Sequence, residues 1–335
     1  MKFKWIDEMN ETQTELIEGS SRILSIDVFK GLSITLMTFV NSLALFENVP
    51  AWTRHAGNYG ITYVDLIAPF FIFMMALNFT LSFKKRLERF GRKKAYIRFL
   101  RRYLIFIGIG LILFLDVDLN TFQLRWGTLQ VLGMAGLIHL SVAELKSVYR
   151  LIVGVILLII HQWMLSTSLA LVIYEGIEGG IIGSLSWASM MIFSSILADA
   201  IWEREKWKKF LLGGLIFLFL GIFLGIFLGI SRAYMSLPYV LISVGASSVI
   251  YYVIHFIFDI ISNRLYFLKK ERILNASGKN AFGLYIFHLL LISLGFELIP
   301  LNVEWLIAFL IAISNVAIIL TIGYVMDKYK LYLVI

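Results

Sequence analysis

A chain of 335 residues that is 59% hydrophobic and 16% charged, with a mean hydropathy of +0.84, is too apolar for a soluble domain, where about a quarter of residues carry charge. Four prolines and no polar low-complexity tract exclude a disordered chain, and the lack of cysteine excludes disulfides, thiolate metal ligands and a cysteine-bound acyl intermediate. The net charge of +8 would point to nucleic acid in a soluble protein; here its distribution fits the cytoplasmic face of a membrane protein, with no nucleic-acid partner.

Residues 1–22 mix acids and bases around no apolar core, which reads as a short cytoplasmic tail and not a cleavable signal. A membrane-spanning helix needs about 20 mainly apolar residues. Candidates follow at approximately 23–46, 61–83, 103–119, 123–144, 150–173, 181–201, 210–230, 237–261, 280–299 and 304–326. The third is the shortest and can begin within the basic segment before it. The seventh contains "GIFLGIFLGI", which puts Gly221, Gly225 and Gly229 on one face; small residues four apart let helices approach closely in lipid.

Lysine and arginine set the orientation. With the N-terminus inside, the inner segments hold 26 basic residues, ten of them between Lys84 and Arg102, while the outer side holds only Arg54, Arg125 and Arg232. The expected fold is all-α: a polytopic membrane bundle of about ten transmembrane helices over 23–335, with both termini cytoplasmic. Lipid is its obligatory partner, and its apolar surfaces leave room for a homodimer.

A titratable group at membrane depth is costly and marks a functional site by default. The stretch "HAGNYGITYVDLIAPF" places His55 in the loop after the first span and Asp65 four residues into the second, roughly 6 Å below the outer end. Asn41, on the first span, lies roughly 7 Å below the same end. A histidine can take a proton from an attacking amine or hydroxyl. A carboxylate can fix its tautomer, and an amide can donate to an oxyanion. These three residues therefore suit acyl transfer. Equally, Asp65 could cap the second helix, Asn41 could join two helices and His55 could be an interfacial residue. His139, His161, His255 and His288 lie on four different spans with no metal-binding spacing, so no metal is expected. Asp199 is expected to pair with the basic loops. No phosphate-binding glycine motif is present. A proton-coupled transporter or flippase of a small polar or lipid-linked substrate is the rival class; the chain shows neither inverted halves nor paired broken helices.

The motifs resemble those of the heparan-α-glucosaminide N-acetyltransferase family and its bacterial relatives. The resemblance rests on "RILSIDVFKGLSITLMTFVN", through Arg22, Ser25, Asp27, Gly31 and Asn41, and on "HAGNYGITYVDLIAPF", through His55, Ala56, Gly60, Asp65, Leu66, Pro69 and Phe70. "RWGTLQVLGMAGL" and "LNASGKNAFGLYIFH" support it by their order, the latter through Gly278, Asn280, Ala281, Tyr285 and His288. Three positions depart from the family pattern: Lys30 for arginine, Asn58 for tryptophan and Val131 for arginine. The resemblance implies transfer of acetyl from cytosolic acetyl-CoA, as co-substrate, to an amino sugar or glycan on the far side of the membrane. It implies His55 as the catalytic residue, with Asp65 and Asn41 as companions, in a bacterial inner membrane. An oxygen acceptor would need no change of architecture. Phosphates of acetyl-CoA would need cations on the inner face. The candidates are Lys84, Lys85, Arg86, Arg98, Arg101 and Arg102, with Asn280 and His288 added by their match to the family segment.

Overall fold

A computed structural model describes residues 23–113, 115–118, 121–124, 126–202, 206–261 and 271–333; the predicted tail at 1–22 lies outside the described residues. The elements are α1 (Leu24–Ala44), α2 (Ile67–Phe90), α3 (Arg92–Leu113), a two-stranded ribbon of β1 (Leu115–Asp118) and β2 (Thr121–Leu124), α4 (Thr128–Val142), α5 (Ser147–Met164), α6 (Leu169–Glu175), α7 (Gly180–Trp202), α8 (Trp207–Leu228), α9 (Leu237–His255), α10 (Ile273–Lys279), α11 (Ala281–Leu298) and α12 (Trp305–Lys328). Single turns of 3-10 helix at Tyr63–Leu66 and of π-helix at Phe256–Ile260 extend α2 and α9. Among the described residues seven helices are long and apolar enough to cross a membrane, and α4 and α11 are shorter apolar ones. With α3, all ten predicted spans fall on a helix, and the protein is a polytopic helical membrane bundle.

Three boundaries differ from the sequence reading. The span expected at 103–119 begins instead at Arg92, after a single residue, Gly91, whose φ of +79° turns the chain back on α2. Its outer end and the start of the span expected at 123–144 form the antiparallel ribbon, with Leu115 opposite Leu124 and Asp118 opposite Thr121. "LDVD" and "TFQL" alternate in polarity with a period of two, which favours a strand over a lipid-exposed helix. The span expected at 150–173 breaks at Met164 and resumes as the short α6.

The two ends of the bundle differ in chemistry. At one end Arg92 pairs with Glu144 at 2.8 Å, Lys279 with Asp327 at 3.0 Å, and Arg150 with Asp199. The last pair meets the expectation for Asp199. The positive-inside rule places this basic end in the cytoplasm. The start of α1 and the end of α12 both lie there. At the other end, the loop between α1 and α2 packs on the loop between α8 and α9, where the Gly60 N–H donates to the Ile230 carbonyl at 2.8 Å. Phe219, Phe223, Ile226 and Phe227 on α8, with Leu310 and Ile313 on α12, stay exposed on the outside of the bundle.

Without a hydrophobic force to hold helices together in lipid, close backbone approach matters most. A Cβ at Gly31 would lie 2.0 Å from the Leu274 carbonyl oxygen, and one at Gly278 would lie 1.8 Å from that of Asp27. The crossing of α1 and α10 is therefore backbone on backbone. Gly221 plays the packing role expected of it, with its missing Cβ against the Ile242 backbone at 2.7 Å; Gly229 instead ends α8 with φ +73°. Gly31→Ala and Gly278→Ala should each cost about 1–3 kcal/mol, the usual penalty of overpacking, and lower Tm in detergent. Gly108→Ala, with nothing within 4 Å of the added carbon, should leave Tm unchanged.

Candidate functional site

The geometry starts from the beginning of α2. Asp65 sits in the 3-10 turn that opens the helix, where orphan backbone N–H groups need acceptors. One carboxylate oxygen, Oδ2, accepts from the Thr62 N–H at 2.7 Å, the Thr62 hydroxyl at 3.1 Å and the Ala56 N–H at 3.2 Å. The other, Oδ1, accepts from His55 Nδ1 at 2.7 Å. Asp65 therefore caps the helix and orients the histidine at once. A proton on Nδ1 leaves Nε2 with a free lone pair, the tautomer a general base needs. The Asp65 side chain is 0% exposed while that of His55 is 43% exposed, so the pair lies with its carboxylate inside and its imidazole at the mouth.

Other elements close around the carboxylate. Tyr239 on α9 donates its hydroxyl to the Asp65 carbonyl at 2.7 Å. Arg232, from the loop after α8, places Nε 4.0 Å from Asp65 Oδ1 and pairs through Nη2 with Glu178, from the turn before α7. Burial opposes the charge of Arg232, but the Glu178 carboxylate beside it prevails and raises its pKa above the ordinary arginine value. Aromatic rings of the surrounding segments pair with one another: Trp52 with Tyr63, and Tyr234 with both Tyr59 and Tyr174. The Tyr174 hydroxyl donates to Asn58 Oδ1 at 2.9 Å, which ties Asn58 to these rings.

Asn41 is not in this group. Its amide donates to His288 Nε2 at 3.2 Å, and His288 Nδ1 donates in turn to the Tyr285 carbonyl. The structure thus joins Asn41 to α11, not to His55. The physical reason is helix rotation, which spacing along α1 does not fix. The other histidines go elsewhere. His139 packs edge-on to Phe79, His161 is buried, and His255 stacks on Trp207 and pairs with Asp259 at 2.7 Å. Among the described residues no three metal-ligating side chains gather.

A cavity of about 120 Å³ runs inside the bundle between α1, α2, α3, α4 and α11. Its wall is mostly apolar, with Met74, Met75, Phe71 and Phe106, and carries two cations, Lys30 and Arg102. Lys30 also pairs with Asp27 at 3.4 Å. Met37, Ala68 and Tyr285 line it as well. Each lies three or four residues from Asn41, Asp65 and His288 respectively, so the cavity ends about one helical turn below all three. From Ala68 to Asn78 it follows α2 for roughly 15 Å toward the basic end.

The predicted cations divide. Arg102 lines this cavity, with Nε buried and unpartnered among the described residues. Arg86 lies within electrostatic reach of Arg89, Arg98 and Arg102. Lys84 lines a separate cavity of about 520 Å³ with Lys146 and Arg150. Lys85 and Arg101 are exposed on the helix surface. Asn280 is buried where α10 meets α11, beside the cavity-lining Ala281, while His288 lies toward the other end. Sequence reasoning overlooked Glu178, Arg232 and Tyr239. Arg232 had one available signal, as a cation on the cation-poor side.

The model of the family described as heparan-alpha-glucosaminide N-acetyltransferase, catalytic, matches residues 22–257, the stretch that carries α1 to α9 and the whole surround of Asp65. Heparan-alpha-glucosaminide N-acetyltransferases of Mus musculus and Homo sapiens are each 29% identical to the chain over 133 residues, 38% of its length. The matched segment is 20% of the mouse protein and 19% of the human one, so the chain spans about a fifth of the length of these curated relatives. A match that takes in most of the chain, its His55–Asp65 pair and the loops folded onto that pair places this protein in the heparan-alpha-glucosaminide N-acetyltransferase catalytic family.

Proposed function

We propose that this protein is a membrane acetyltransferase that takes acetyl from acetyl-CoA at its basic, cytoplasmic end and delivers it to an amino sugar or glycan at the opposite end. The observation that carries the reading is the 2.7 Å bond from His55 Nδ1 to a fully buried Asp65, one turn above an apolar cavity with cations in its wall. The residues 23–335 act as one catalytic bundle, in a bacterial inner membrane by its likeness to the family's bacterial relatives.

The roles follow from the chemistry of the groups. An apolar slot suits the pantetheine arm, and Lys30 and Arg102, with the Arg86 cluster behind them, suit the phosphates that stay outside it. The acceptor enters from the far side. His55 Nε2 takes the proton from the acceptor amine as its nitrogen attacks the acetyl carbonyl. The C–N bond forms, the C–S bond breaks, and the leaving thiolate takes up the proton. Asp65 stays ionised and stabilises the imidazolium in between. The Asn41 amide, held by His288 about one helical turn beyond the cavity-lining Met37 and Tyr285, is the side chain we assign to the thioester oxygen.

His55→Ala should reduce acetyl transfer by purified protein at least 100-fold, within the range of general-base contributions of about 10²–10⁴, and lower Tm modestly, because it removes one hydrogen bond of about 1.5–3 kcal/mol from the buried Asp65 carboxylate, while circular dichroism still reads a folded helical bundle. Asp65→Asn should lose transfer similarly and also lose about 1 kcal/mol of stability, because it caps α2. Near-normal transfer by His55→Ala would refute the reading. Acetyl-CoA at a hundredfold excess over Kd should stabilise the protein by about 2.7 kcal/mol, seen as a higher Tm; a carrier of unrelated solutes would show no shift. Lys30→Gln and Arg102→Gln should weaken that shift and raise KM for acetyl-CoA several-fold, with kcat less affected.

A further inference from the structure

We propose, resting on the acetyltransferase reading, that Glu178 and Arg232 are positioning residues that set the charge balance of the His55–Asp65 pair, and so the pH at which His55 can act as base. Arg232 Nε and His55 Nδ1 approach the same oxygen, Asp65 Oδ1, at 4.0 and 2.7 Å. At 4.0 Å the guanidinium acts as a charge and not as a hydrogen-bond donor. It is held there by Glu178, whose side chain is only 4% exposed. Glu178 Oε2 and Arg232 Nε are both buried without a hydrogen-bond partner among the described residues. That is an unusual cost for a surface loop to carry.

The backbone is arranged to keep the couple in place. Glu178 has φ +54°, a left-handed conformation rare for a side-chain-bearing residue, in a turn with Gly179 and Gly180 at +79° and +62°. Strain of this kind persists where the surroundings enforce it and concentrates at functional sites. The Glu178 carbonyl accepts from Trp187 Nε1 at 3.2 Å. The Arg232 loop is closed by Ser231 and Ser236, with the Ser231 N–H donating to Ser236 Oγ at 3.0 Å and the Ser236 N–H to the Ser231 carbonyl at 3.0 Å.

The charges facing the pair can be enumerated by element. The loop after α8 gives Arg232 and the turn before α7 gives Glu178. From α9 comes the Tyr239 hydroxyl, and from α11 the Tyr285 hydroxyl, within electrostatic reach of Glu178. The pair's own loop contributes Tyr59, Tyr63 and Arg54; Tyr59 packs on Tyr234 of the Arg232 loop, which packs on Tyr174 of α6, and the Arg54 guanidinium is occupied by the carbonyls of Phe46 and Glu47 at 2.9 and 2.6 Å. With Asp65 and Glu178 negative and Arg232 positive, the site carries one net negative charge, which an imidazolium at His55 neutralises. Glu178 thus favours the imidazolium and Arg232 opposes it.

The signs make the test. Glu178→Gln should move the acid limb of the kcat/KM profile to lower pH, and Arg232→Gln should move it to higher pH. The Arg232→Gln shift should be about one unit, from a charge 4.0 Å from Asp65 Oδ1, and the Glu178→Gln shift smaller, because Glu178 reaches the pair through Arg232. The double variant should return the limb toward that of the wild type. Arg232→Lys should leave the limb in place, because the charge stays. The titration of the His55 ring, followed by NMR in histidine-labelled protein, should show the same signs without depending on turnover. Limbs and ring titrations that stay fixed in both single variants, or move in the same direction, would overturn the proposal. If wild-type protein transfers no acetyl, the enzymatic reading fails, and the ring titration still decides whether the charges are coupled.

Discussion

A carboxylate with no exposed surface at the edge of a bilayer stays charged only if its surroundings replace the water it has lost. Asp65 receives three N–H donors, from His55, Ala56 and Thr62, and shares the Thr62 hydroxyl proton with the Arg54 carbonyl. Hydrogen bonds to a charged group contribute about 1.5–3 kcal/mol each, enough together to offset the several kcal/mol that desolvating a carboxylate costs. The Arg232 guanidinium adds a positive field from a third segment. The arrangement is reciprocal. The charge opens α2, anchors the loop after α1, recruits the loop after α8, and fixes the face that His55 presents. Remove it and the loop, the helix start and the imidazole lose a common reference.

The remainder of the bundle places this pair relative to a passage. Gly31 and Gly278 let α10 press against α1, and α11 follows directly, carrying Tyr285 and His288. The same packing that brings Tyr285 into the cavity wall brings His288 to Asn41. Lys30 lies on α1, two turns inward of Met37 in the same wall. One helix thus contributes a cation at one end of the cavity, an apolar lining in the middle and an amide about one turn beyond the other end. The outer faces of α5, α8 and α12 remain apolar and exposed.

The polar chemistry of the first hairpin was legible in the sequence because it is local. His55 and Asp65 are ten residues apart, and a helix start with a carboxylate needing a partner lies between two apolar runs. The helix positions were legible because hydropathy marks them. The ribbon of 115–118 and 121–124 was missed because two strands of four residues are short beside the long apolar runs that flank them, although their polarity alternates. Asn41 was expected beside His55 and its amide instead meets His288, because position along α1 follows from rise per residue while the facing partner follows from the rotation of α1 against a helix 247 residues away. Glu178 and Arg232 escaped notice for the same reason. Their meeting depends on how two loops fold over a third, and the left-handed backbone of Glu178 leaves only a run of glycines as its trace.

The central claim is that a base at one end of the bundle is served by a donor that enters at the other. It can be tested with purified protein in sealed vesicles, with acetyl-CoA outside and an amino-sugar acceptor trapped within. The account predicts acetylated acceptor in the lumen while acetyl-CoA stays outside, from the molecules whose basic end faces outward. Product that forms only when donor and acceptor share one side of the membrane would contradict it.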